Sequence, residues 1–205
     1  MSHVTFSAPD LDSFCQLDKM GLRAIGQRVE EDHSVIEAVT RDPDRWCRTC
    51  GAPGVARDTE ERRLAHVPLG WRPTILLVRV RRYRCQACGK VWREDLSKVA
   101  APRSKLTRQA VLWALKSVVL DRLTITRVAA NLGVAWHTAN RAVLDAGREL
   151  LISDASRFDG VEVIGVDEHA WRHTRFGDKY VTVIIDLTPV RDQTGPARLL
   201  DMVEG

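Results

Sequence analysis

No apolar run in this chain of 205 residues reaches the roughly 18 that a membrane-spanning helix needs. The first residues also lack a basic segment followed by an apolar stretch, so no signal peptide is expected. Cysteine is sparse: there are five, too few for the disulfide lattice of a small secreted domain. Net charge is small, a formal +4, and lysine is scarce beside arginine. An arginine bias follows a GC-rich genome as readily as phosphate binding, so the position of each charge carries more weight than its identity. These absences leave an intracellular protein as the expectation.

The charge that is present is unevenly placed. Residues 1–40 carry a net −4, residues 41–110 a net +10, residues 111–160 a net +1 and residues 161–205 a net −3. The positive stretch coincides with the cysteines. Four of the five form Cys47-Arg48-Thr49-Cys50-Gly51 and Cys85-Gln86-Ala87-Cys88-Gly89, two C-x-x-C-G knuckles separated by 34 residues. Each knuckle aims two thiolates at one point, and the glycine permits the tight backbone that follows. Two knuckles make a tetrahedral cage for a structural Zn2+. A redox motif needs one C-x-x-C, not two; two disulfides are the alternative. The separation is longer than in the shortest zinc ribbons, but a loop of that size can fold back as a hairpin. Zinc loss is expected to unfold residues 41–99. Cys15 stands alone, a core or surface thiol.

Four stretches follow from the patterning. Residues 1–40 begin with a polar leader. Residues 23–30 and 34–40 then read as strands around Asp32-His33, although 34–40 fits a short helix equally well. Residues 41–100 form the zinc module. Inside it, 62–67 and 74–84 read as strands flanking the turn 68–73. In the second, Ile75, Leu77, Arg79, Arg81 and Tyr83 alternate with Leu76, Val78, Val80, Arg82 and Arg84. Its apolar half can pack, and its basic half leads into Cys85.

Residues 101–152 change to a helical period. Ala110, Val111, Ala114, Leu115 and Val118 form an apolar stripe over 107–122, with Thr107 as the N-cap. A second helix fits 125–132, capped by Thr124 and ended by Gly133. A third fits 136–151. Two helices joined by Leu132-Gly133-Val134 match the helix-turn-helix pattern, whose second helix enters the DNA major groove by its first turns. Those turns offer Trp136, His137, Thr138, Asn140 and Arg141. Asn140 suits adenine and Arg141 guanine, or either holds phosphate. Arg79, Arg81, Arg82 and Arg84 are the expected phosphate contacts. An ordinary three-helix bundle with a polar outer face is the alternative.

After a polar linker, 161–167 reads as a short strand ending in Asp167, 180–187 as a second and 197–203 as a third. The pattern is an antiparallel meander, consistent with the opening of a ribonuclease-H-like domain over 160–205. On its own, a buried Asp at a strand end fits a turn cap or an ion pair as well as a catalyst. The fold class expected for the whole is α+β and multidomain.

In this order, the zinc knuckles, basic strand, helix pair and Ile164-Gly165-Val166-Asp167-Glu168-His169-Ala170-Trp171 resemble the ISL-three family of bacterial insertion-sequence transposases over about residues 20–205. The most distinctive piece is Gly-Val-Asp-Glu-x-x-Trp, followed by a basic loop at 172–179. The resemblance implies that the zinc and helix-turn-helix parts bind double-stranded DNA at the element's terminal inverted repeats. It further implies a ribonuclease-H-like core in which an Asp-Asp-Glu triad holds Mg2+ or Mn2+, with Asp167 as the first carboxylate. Glu168, its strand neighbour, points to the opposite face. A homodimer on the DNA ends, in a bacterial cytoplasm and associated with the nucleoid, is in keeping with it.

The departure is equally specific. Asp186, Asp192, Asp201 and Glu204 come too soon after Asp167 to be the remaining triad members. The expectation is a truncated transposase or a fragment of one, which neither nicks nor joins DNA alone. A stand-alone DNA-binding regulator of transposition is the second function class, and a zinc-ribbon interaction module the third.

Overall fold

Two hairpins build the main sheet of this computed structural model, which describes residues 10–170 and 180–204. The first hairpin joins β1 (Leu22–Val29) to β2 (Ser34–Thr40). The second joins β3 (Gly54–Leu69) to β4 (Arg72–Cys85), and the short β5 (Val91–Arg93) pairs with β4. The order is β1-β2-β4-β3. All pairs are antiparallel except β2 with β4, which runs parallel from Ser34–Thr74 to Val39–Arg79.

Residues 34–40 are therefore a strand, not a helix. Val35, Ile36, Ala38 and Val39 are all buried, the pattern of a central strand with both faces covered. Leu22, Ile36, Ala38, Leu64, Leu76, Val78 and Val80 line one core. The N-terminal segment, with a helical turn α1 (Leu11–Phe14) and a 3-10 turn over Asp18–Met20, brings Cys15, Leu17 and Met20 to that core, and residues 96–100 bring Leu96, Val99 and Ala100. Cys15 is thus a core thiol. A boundary at residue 40 separates nothing here, because the N-terminal strands and the ribbon strands share one sheet.

Three helices follow: α2 (Arg108–Val119), α3 (Ile125–Leu132) and α4 (Trp136–Gly147). The caps read from the sequence are in place. Thr107 Oγ accepts from the Ala110 amide and Thr124 Oγ from the Arg127 amide. Gly133 sits at φ 64°, and the Val134 amide closes the turn on the Ala129 carbonyl at 3.0 Å. A Cβ on Gly133 would stand 3.0 Å from Pro73, so the α3–α4 turn rests on the start of β4. The third helix is shorter than expected and gives way to a wide π-type turn over Arg148–Ile152. No described helix is long and apolar enough to cross a membrane.

The chain divides into two compact units, 1–144 and 145–205, with the division inside α4 and not at the linker expected after residue 152. The second unit holds the antiparallel meander β6 (Ile164–Ala170), β7 (Tyr180–Asp186) and β8 (Arg198–Glu204), with one helical turn, α5 (Thr188–Arg191), before β8. Its buried anchor is Asp186. That carboxylate accepts from the Thr188 amide at 2.8 Å and from Arg198 at 2.6 Å, and these partners hold it below the usual carboxylate range. Asp167 does not end a buried strand: β6 runs on through it to Ala170, and Asp167 is exposed on this edge strand opposite Val183. Trp171 and the basic loop at 172–179 lie outside the described residues.

Candidate metal centre and nucleic-acid interface

The 34 residues between the knuckles are the β3–β4 hairpin, and both knuckles stand at its open end. Gly54, which opens β3, pairs with Cys85, which closes β4. The knuckles repeat one geometry. The Gly51 amide donates to the Cys47 carbonyl at 2.8 Å, and the Gly89 amide to the Cys85 carbonyl at 3.1 Å. Gly51 and Gly89 are both at φ 73°, a left-handed conformation that an L side chain rarely adopts.

The four sulfurs lie within 4.8 Å of one another. Cys47 and Cys88 are 3.7 Å apart, Cys50 and Cys85 3.4 Å, and Cys50 and Cys88 3.6 Å. A disulfide would need about 2.05 Å, so the pairing alternative is excluded. A tetrahedron with Zn–S bonds of about 2.3 Å has an edge near 3.8 Å, and the cluster matches it. Backbone N–H groups point at the sulfurs that must ionise. Those of Thr49 and Cys50 lower the Cys47 thiol to about 6, and that of Cys88 lowers Cys85. Cys50 feels the Ala52 amide in the stabilising direction, but the neighbouring Cys85 and Cys88 sulfurs together push it up to about 12. Four thiols so close cannot all ionise without a cation among them, which is the electrostatic case for structural zinc. Among the described residues, no other group of three or more His, Cys, Asp or Glu converges closely enough to hold a metal.

The ribbon is stiffened from one side. Trp92 stacks on Tyr83 with ring centroids 5.7 Å apart and donates its Nε1 hydrogen to the Asp44 carbonyl. Its ring covers Gly54, where a Cβ would fall 2.3 Å from the indole. Gly54→Ala should therefore destabilise the ribbon by about 1–3 kcal/mol through overpacking against the rigid indole. Thermal melting of the zinc-loaded variant measures this, and an unchanged midpoint would mean that the indole has room to move. Glu94, buried beside Trp92, completes this side. It accepts from the Arg81 amide at 3.0 Å, the Arg81 guanidinium at 3.2 Å and the Tyr83 hydroxyl at 3.2 Å.

The basic strand is more committed internally than its sequence suggests. Arg79 pairs with Glu37 at 2.8 Å, Arg81 with buried Glu94, and Arg82 with Glu60 at 2.8 Å and Asp58 at 3.4 Å. Of the four arginines in the knuckle half of β4, Arg84 alone has no carboxylate partner among the described residues, and it is exposed. Burial along β4 also changes sides. Leu76, Val78 and Val80 are buried in the inner half, Tyr83 and Cys85 at the knuckle end. The sheet face changes owner there: the main core covers one side, Trp92 and Glu94 the other.

On α4 the five sequence-derived positions fall in the first two turns. Trp136, His137 and Arg141 are exposed, Thr138 and Asn140 half-exposed, and Ala139 and Val143 face inward. Two residues of consequence escaped the sequence. His66 and Glu94 are both buried, and neither carries a local signal because their partners are remote in the chain.

Residues 43–88 match the protein family described as zinc-finger of transposase IS204/IS1001/IS1096/IS1165. This bears out the resemblance to the ISL-three transposases over the ribbon that holds the four cysteines. No curated protein and no solved structure matches the chain.

Proposed function

We propose that this chain recognises the ends of an insertion sequence as part of a transposase. The observation that carries the reading is the transposase-type zinc ribbon at residues 43–88, with four thiolates at tetrahedral separations. In this reading α3 and α4 act as a helix-turn-helix, and α4 enters the major groove of the terminal inverted repeat with Trp136, His137, Thr138, Asn140 and Arg141. Arg84 is the best placed of the strand arginines to meet phosphate. Arg79, Arg81 and Arg82 would first have to leave a carboxylate, so their contribution is smaller. Asp167 on β6 is the proposed first carboxylate of a strand-transfer centre using Mg2+ or Mn2+, which would activate the attacking oxygen and stabilise the leaving one. The other ligands of that centre are not assigned to residues of this chain.

The test is selection of bound duplexes from a random pool, followed by binding of variants to the selected and to random duplex. Asn140→Ala or Arg141→Ala should cost about 1–3 kcal/mol on the selected sequence and little on random DNA. Arg84→Ala should weaken both alike and reduce the slope of log affinity against log salt by roughly one. Equal losses on both duplexes for the α4 variants would remove α4 from base recognition. Failure to enrich any sequence would count against end recognition itself.

A further inference from the structure

Of the zinc ribbon's three tryptophans, the two near the knuckles have opposite fates. Trp92 packs between Tyr83 and Gly54, and its indole N–H is bonded. Trp46, next to the first ligand cysteine, is 63% exposed. Register places its neighbours. Trp46 forms an antiparallel bridge with Pro53, and Val55, two residues further along the same strand, pairs with Arg84. Residues bridged across strands, or two apart along one, share a face. Trp46, Pro53, Val55 and Arg84 therefore lie on one side of the ribbon, opposite the side that Trp92 covers. Val55 is 51% exposed, and Pro53 and Arg84 are exposed as well.

A contact made only with a duplex phosphate would use the indole N–H of Trp46 and leave its large ring face idle. That face does fit a nucleobase outside the double helix. Every base offers a π-face, and stacking on an aromatic ring between cations is how single strands are held. The stretch with a net charge of +10, residues 41–110, supplies the cations, and register places Arg84 on the same face as the ring. We infer that the outer face of the zinc ribbon is a stacking site for an unpaired nucleotide of DNA, with Trp46 as the platform, Val55 as its apolar margin, and Arg84 on the flanking phosphate. The inference rests on the DNA-binding reading above and adds a ligand class to it: a single-stranded or splayed segment beside the duplex that α4 would read.

Fluorescence anisotropy with three probes tests it: a blunt duplex, the same duplex with a short single-stranded extension, and oligothymidylate. The zinc-loaded chain should bind the extended duplex more tightly than the blunt one. Trp46→Ala should remove that gain, a loss on the order of tenfold, and leave blunt-duplex affinity unchanged. Trp46→Phe should keep most of it, because a phenyl ring still stacks. Zinc content equal to the parent's shows that each variant folds. An extension that adds no affinity to the parent overturns the inference while leaving duplex recognition standing. Equal losses on blunt and extended duplex for Trp46→Ala also overturn it, by making Trp46 a duplex contact. Binding of oligothymidylate that depends on Trp46, with no duplex binding, sustains the stacking site and removes the end-recognition reading instead.

Discussion

A chelator is expected to unfold the outer half of the β3–β4 ribbon together with both knuckles, while the inner half of the sheet, α2 and α3 persist. Residues 55–61 of β3 are all exposed, with no apolar core beneath them. Their order depends on the cross-strand ladder and on whatever ties its end. Structural zinc in small peptides is worth an apparent 10–16 kcal/mol of folding energy near neutral pH, far more than a bare hairpin supplies. The inner half is different. Leu64, Leu76, Val78 and Val80 belong to the main core and are held whether or not the metal is bound. Hydrogen exchange with and without chelator reads this directly: protection should vanish over 54–59 and 81–93 and survive at 74–80 and in α2. Cys85→Ser with Cys88→Ser should do the same and abolish zinc retention. Zinc-free protein from a zinc-replete preparation, or protection unchanged by chelator over 54–59, would defeat this.

That expectation is narrower than the one drawn from sequence, and the difference shows where sequence reading runs out. Both knuckles, the long hairpin between them, the strand pair before them and the capped helices were legible because each rests on neighbours in the chain: Gly51, Gly89, Thr107, Thr124, Gly133. Residues 41–99 looked like a self-contained module because nothing local says that β2 adds to β4 in parallel. The partners of the basic strand were hidden for the same reason. Glu37, Glu94 and Glu60 lie 42, 13 and 22 residues from the arginines they meet. A row of arginines reads as a free cationic face until such partners are known. Asp167 was misplaced because β6 begins later and runs further than its β-branched residues suggested. Trp46 was visible throughout as a residue and invisible as a surface, since exposure is not written in a sequence.

The second large effect is on stability against acid. His66 is 1% exposed and meets the Thr107 hydroxyl through Nδ1 at 3.0 Å. Thr107 Oγ also accepts from the Ala110 amide, so one hydroxyl joins the buried imidazole to the cap of α2. Burial lowers the His66 pKa from 6.5 to about 4, only partly opposed by a hydrogen bond to the Cys15 backbone. The sign follows from proton binding. Above 6.5 the ring is neutral in both folded and unfolded chains, and it adds no pH dependence. Between 6.5 and about 4 the unfolded chain takes up a proton that the folded chain refuses. Stability is therefore fully present above the upper value and falls with pH across this window, by about 3 kcal/mol in all. Chemical denaturation at a series of pH values should show this loss in the parent and a shallower one in His66→Gln. Metal release at low pH affects both chains alike and cancels in the difference. Parallel curves would show that His66 is not the source.

The placement of both knuckles at one end of a single hairpin makes the metal and the distant turn thermodynamic correspondents. β4 has 14 residues, so at about 3.3 Å per residue the ion and the Gly70-Trp71 turn stand some 45 Å apart along the strand. Closing a loop of 34 residues would ordinarily cost chain entropy at the moment of coordination. Here the inner ladder, held by the core without the metal, closes much of it beforehand, from Leu69–Arg72 to Glu60–Val80, and leaves the outer rungs to form with coordination. Zinc affinity thus reports how well the hairpin zips, and zinc tightens the zipping by the same factor, because such linkage is reciprocal. A cell poor in zinc would lose the far end of this arm first, long before the fold beneath it gave way.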